Sequence, residues 1–129
     1  MTMEDQLNLT GKTILIIEND YLSVLLIEEY LSYTNVRLIQ EIDNESLFDY
    51  PEEHIDLIIK GIGYNEIKNG LSLTKIIKLQ HPGIPLIAYS ASVYQEDVQS
   101  FLKVGCDGFI SKPIDFDTLK TLLNKYLAN

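Results

Sequence analysis

Short apolar runs of strand length alternate along the chain with longer segments of helical period. The runs are Thr13 to Ile17, Val36 to Ile39, Ile55 to Ile59, Ile84 to Tyr89 and Gly108 to Ile110. Three are nearly continuous in Ile and Leu, the pattern of strands covered on both faces in a parallel sheet. Between them, Leu22, Leu26, Tyr30 and Tyr33 recur at helical spacing, as do Leu73, Ile76, Ile77 and Gln80. Val98, Phe101 and Leu102, then Phe116, Leu119, Leu122, Leu123 and Tyr126, predict two later helices, and Asn44 to Tyr50 predicts a shorter one.

Punctuation agrees with these boundaries. Asn19 or Asp20 can cap the first helix, Ser92 with Gln95 reads as a capping box, and Asp115 can cap the last helix. His81-Pro82-Gly83 ends the third helix. Strands and helices joined by short loops imply right-handed β-α-β crossovers and an open, doubly wound α/β sheet. Residues 1–11 read as a flexible tail and 12–128 as one domain, in keeping with a length of 129 residues.

The formal charge of −9 arises from 19 acids against 10 bases, and Arg37 is the one arginine. Nucleic-acid and membrane surfaces are read by clustered Lys and Arg, so neither is an expected partner. Cys106 stands alone, which rules out an internal disulfide and a thiol cluster for zinc. The first residues lack the basic start and apolar stretch of a signal peptide, and a cytoplasmic location is expected.

Candidate chemistry gathers at the carboxyl ends of the strands, where open α/β sheets bind ligands. Glu18-Asn19-Asp20 follows the first strand, and such an acidic turn suits a hard cation such as Mg²⁺ or simply caps a helix. Ser90 ends the fourth strand and can donate a hydroxyl hydrogen bond. Lys112 precedes Pro113 after the fifth and can reach over the sheet as a point charge. The third run, by contrast, closes on Lys60-Gly61, with no carboxylate.

Three stretches, Ile14 to Asp20, Ile84 to Ala91 and Gly105-Cys106-Asp107-Gly108-Phe109-Ile110-Ser111-Lys112-Pro113, resemble the receiver domain of bacterial two-component response regulators. The resemblance runs from about Lys12 to Leu127. It implies a flavodoxin-like (βα)5 three-layer sandwich whose five parallel strands take the order 2-1-3-4-5. It further implies an acidic pair for Mg²⁺, an aspartate after the third strand that accepts a phosphoryl group from a histidine kinase, and a switch beyond it. Position by position, Ser90 is similar to the switch hydroxyl, Phe109 to the switch aromatic, Lys112 to the sensing lysine and Glu18 to the first acid. Asn19 falls where the family has its metal-binding aspartate, and Gly61 where it has the phosphoacceptor.

Ile55 to Gly61 matches the family's pattern without a gap, so Asp56 lies too early to substitute. The loop Ile62 to Gly70 is one residue longer than in the family and lacks its proline. With glycine at 61 and asparagine at 19, Mg²⁺ binding is expected to be weak or absent. Lys112 then needs another counter-charge, with Glu18 and Glu66 as candidates, and Lys60 either joins them in a fixed ion network or snorkels into water. Phe109, as an aromatic on a strand, is expected in the core.

The function this implies is a receiver-like signalling module of a two-component or phosphorelay system, with no catalytic residues and no phosphorylation at Gly61. It would act on a histidine kinase, a phosphotransfer protein or an output protein, through the face of the fourth helix, fifth strand and fifth helix. No DNA-binding or enzymatic output domain is expected after the last helix, and the oligomeric state is left open. A competing reading keeps phosphoryl transfer at another acid, Glu66 or Glu18. A remoter one is a flavodoxin-like cofactor carrier, disfavoured because the first turn is acidic where a phosphate cradle needs glycines and free N–H groups.

Overall fold

The computed structural model describes residues 7–41, 54–92 and 94–127. Its strands are β1 (Thr13–Ile17), β2 (Arg37–Glu41), β3 (Leu57–Gly61), β4 (Leu86–Ser90) and β5 (Gly108–Ser111). They form one parallel sheet in the order β2-β1-β3-β4-β5, the order that the resemblance implies. The helices are α1 (Tyr21–Leu31), α2 (Tyr64–Lys68), α3 (Ser72–Gln80), α4 (Gln95–Lys103) and α5 (Phe116–Leu127). The helix expected over Asn44 to Tyr50 lies outside the described residues. β3 and β4 start two residues later than their apolar runs, so β3 carries Lys60 and Gly61 inside the sheet rather than after it.

Successive strand residues point to opposite faces. Ile14, Ile16, Leu57, Ile59, Ile87 and Tyr89 pack with Val24, Ile27, Leu119 and Leu123 of α1 and α5. Leu15, Ile17, Ile58, Leu86 and Ala88 pack with Ile77 and Phe101 of α3 and α4. This double coverage is why the central strands are apolar at most positions.

Several expected details change. Leu7 and Leu9 are buried in the first cluster and the Leu9 N–H donates to Thr34 O at 2.8 Å, so residues 7–11 are part of the fold and not a loose tail. On α1 the buried positions are Ser23, Val24, Ile27 and Leu31, while Leu22 is exposed. That helix is apolar on most sides, and its spacing alone does not select the inward face. On α3 Thr74 and Ile77 turn inward and Leu73 and Ile76 outward; on α4 Phe101 is buried and Leu102 exposed. The Ser92–Gln95 capping box does not form, because α4 begins at Gln95 and the Ser92 hydroxyl donates to Asp97 instead. Asp115 does cap α5, accepting the Thr118 N–H at 2.8 Å.

Phe109 is 40% exposed and is not a core residue. β5 ends the sheet, and the face opposite buried Ile110 opens onto a groove between α4 and α5. Among the described residues, no helix is long and apolar enough to cross a membrane.

Candidate functional site

At the carboxyl ends of β1, β3 and β5 lies a cavity of about 260 Å³ lined by Glu18, Asn19, Asp20, Lys60, Gly61, Glu66 and Lys112, among others. These seven are the residues that the sequence singles out at strand ends and in the loop after β3. Ser90 and Phe109 are not among its lining residues. The Ser90 hydroxyl is buried and accepts the Ser92 N–H at 3.1 Å, while Phe109 faces the groove over β5.

Glu18 leaves β1 with its side chain turned back into the sheet end. Its Oε1 accepts the N–H groups of Asn19 and Asp20, each at 3.0 Å. Its Oε2 is 2.7 Å from Lys112 Nζ. That contact is an ion pair without hydrogen-bond alignment, which leaves the buried Oε2 compensated by charge rather than by a directed bond. Lys112 also stands 5.0 Å over the Tyr89 ring, a cation–π contact, and its backbone N–H donates to Ser90 O at 2.9 Å.

Lys60 points to the opposite face of the sheet, as its spacing from Ile58 requires. It is 3% exposed, so it does not snorkel into water. Its ammonium donates to Glu66 Oε1 at 2.6 Å and to Gly61 O at 2.8 Å. Glu66 Oε2 accepts from the Thr74 hydroxyl, so the whole carboxylate is engaged. The expected loop over 62–70 supplies this glutamate from α2, and the following turn takes Gly70 and Leu71 through left-handed φ of 77° and 61°. The left-handed backbone costs a leucine about 1 kcal/mol, and burying its side chain offsets that.

The four charges anticipated as one network therefore form two separate pairs, Lys112–Glu18 and Lys60–Glu66, flanking Gly61. Asp20, on the exposed rim, accepts from the Ser23 hydroxyl at 2.5 Å. That bond holds its carboxyl below the ordinary 3.8, with the charge of Lys112 acting in the same direction. Burial raises the Tyr89 hydroxyl above its usual range.

A divalent cation needs several free oxygen ligands in near-octahedral array. Here both oxygens of Glu18 and Glu66 are already engaged, residue 19 is a neutral amide and residue 61 has no side chain. Among the described residues there is no cluster of three or more His, Cys, Asp or Glu suited to a metal. Two ammonium groups line the same cavity. The donor set is a poor match to Mg²⁺.

Three contributors carry no clear mark in the sequence. Ser23 and Tyr89 sit inside apolar segments and read as packing residues. Thr74 has a faint signal, as a polar residue at a helix position that turns inward beside Ile77.

The family model for the response regulator receiver domain matches residues 14–124. The chain is 29% identical to the polar-differentiation response regulator DivK of Brucella anthropi, covering 92% of this chain and 98% of DivK. It is 30% identical to part of the osmosensing histidine protein kinase SLN1 of Saccharomyces cerevisiae, covering 97% of this chain but only 11% of that kinase. A response regulator from Thermotoga maritima superposes with a TM-score of 0.79 at 21% identity, over 92% of this chain and 98% of that one. The receiver domain of a sensor histidine kinase from Pseudomonas aeruginosa PAO1, whose structure has magnesium in its active-site cleft, does so with a TM-score of 0.74 at 22% identity, over 93% and 100%. Strand order, strand-end chemistry and family match together show that the chain belongs to the response regulator receiver domain family.

Proposed function

We propose that this receiver domain transmits its signal through protein contacts and is not phosphorylated at position 61. The observation that carries this reading is that β3 ends in Gly61, beside a cavity in which Glu18 and Glu66 are already paired with lysines. A phosphoryl group is taken up by an exposed carboxylate poised for in-line attack with a metal nearby. Glu18 Oε2 is buried against Lys112, and Glu66 is held by Lys60 and Thr74. These engagements also weigh against the alternative acceptors Glu18 and Glu66, and against more than weak Mg²⁺ binding.

The partner belongs to the two-component set, a histidine kinase, a phosphotransfer protein or an output protein. The α4-β5-α5 face is its proposed docking surface, because Phe109 and Leu102 are exposed there beside a groove of about 570 Å³. Incubation with acetyl phosphate and Mg²⁺, followed by intact-mass measurement, tests the reading. An unchanged mass is the expected result, and a stoichiometric gain of one phosphoryl group overturns it.

A further inference from the structure

The space beside Gly61 is filled from a neighbouring strand. A Cβ built on Gly61 would stand 2.0 Å from Glu18 Oε2 and 2.7 Å from Glu18 Cδ. Non-bonded heavy atoms settle at about 3.5–4.0 Å, so the Glu18 carboxylate occupies volume that any side chain at 61 would enter. The group is also held there. Two backbone N–H groups fix Oε1, and Lys112 draws Oε2 to 2.7 Å. Glu18 is 6% exposed, so little water competes for either oxygen.

We propose that Glu18 supplies, from the end of β1, the carboxylate that β3 lacks, and that Gly61 is the condition for it. The two positions form one matched unit whose task is to hold the Lys112 ammonium without a metal or a phosphoryl group. This rests on the reading that position 61 is not a phosphorylation site, and adds to it a positioning role for Glu18. The glycine is then more than a deleted side chain, since it clears the room in which the substitute carboxylate sits. A glycine that was only a loss would leave Lys112 indifferent to a methyl group at 61.

The test follows the Lys112 ammonium by ¹H–¹⁵N NMR on selectively labelled lysine, with Lys112→Arg providing the assignment. An ammonium held in a shielded ion pair exchanges slowly enough with water to be seen; a solvated one does not. The signal is expected in the native protein and lost in Glu18→Ala. It is also expected to be lost in Gly61→Ala, which leaves the net charge unchanged. It should return in the double variant Glu18→Ala with Gly61→Asp, where the carboxylate is handed back to β3. Persistence of the signal in Gly61→Ala, or its failure to return in the double variant, overturns the proposal. Backbone amide spectra verify folding. Should Glu18→Ala unfold through loss of its two amide bonds, Gly61→Ala decides alone, since the displaced group is the far end of a flexible side chain. No phosphoryl donor enters any arm, so a failure here is distinct from a failure of the non-phosphorylated reading.

Discussion

Two hollows, the cavity beside Gly61 and the groove over β5, lie within one small domain and are built on opposite terms. In the cavity Lys60 has met Glu66 and Lys112 has met Glu18, and Lys60 and Glu18 are almost fully removed from water. In the groove, Phe109 and Leu102 are 40% and 49% exposed, with Leu122 and Tyr126 alongside. Buried ion pairs are costly to break, because removing one partner strands the other in a poor solvent. Exposed apolar side chains cost little to truncate but are available to a second molecule. The domain has thus paired the charges at the carboxyl ends of its strands and left apolar side chains exposed over β5.

The sharpest way to break this contrast is to strand Lys60. Glu66→Ala should destabilise the domain by about 3–5 kcal/mol, the cost of leaving a buried charge unpaired, as measured by urea denaturation. Lys60→Met combined with Glu66→Leu should recover most of that loss, because an apolar pair of similar volume is tolerated in such a site. A loss below about 1 kcal/mol for Glu66→Ala would put the pair in the class of surface bridges and end the contrast.

A smaller effect is expected on the groove side, where α5 forms one wall and Asp115 caps it. The bonds from the Thr118 hydroxyl and N–H hold the Asp115 carboxyl below 3.8. A carboxylate depressed in the folded state stabilises fully above its unfolded value and loses that contribution as pH falls through its lower folded value. Asp115→Ala should therefore lower Tm at neutral pH, and the gap to the native protein should close as pH drops below 3.8. A gap that widens on acidification would contradict the assignment.

Smaller still is the cost of Phe109→Ala, expected to stay within about 1 kcal/mol because the ring is already partly in water. Equal losses for Phe109→Ala and Phe101→Ala would erase the distinction, since the fully buried Phe101 should cost about 3–5 kcal/mol. The smallest expected response is chemical. Burial, with the charge of Asp107 adding to it, pushes the Cys106 thiol up to about 12. Native protein should resist iodoacetamide at about pH 8 under conditions that alkylate the unfolded chain completely, with mass measurement as the check.

The strands were legible because doubly covered parallel strands leave an unbroken apolar record. Helix faces were less so. α1 is apolar around most of its circumference, and only its seat against the sheet decides that Val24 and Ile27 go in while Leu22 stays out. Leu7 and Leu9 read as tail because a short apolar pair has no period; the hydrogen bond to Thr34 that ties them down comes from a distant part of the chain. Phe109 misled for a related reason, since a strand's side chains are buried only if something covers that face, and β5 is an edge. At the site, the charged strand endings were visible by type. Glu18 was legible as a counter-charge for Lys112, but the division into two pairs was not, because pairing depends on the face to which each strand residue points. Lys60 and Gly61 are neighbours in sequence but address opposite sides of the sheet, and that parity separates one imagined network into two pairs.

The placement of Glu18 beside Gly61 also bears on what an acid at position 61 would meet. A glycine codon and an aspartate codon can differ by a single base, so an acid at position 61 lies one genetic step away. That step delivers the new side chain into space held by Glu18, beside a neutral Asn19 and on the face of the sheet where Glu18 holds Lys112. An acid introduced at that one codon would still meet Glu18 in the space it needs, so the single exchange does not by itself create a free carboxylate there.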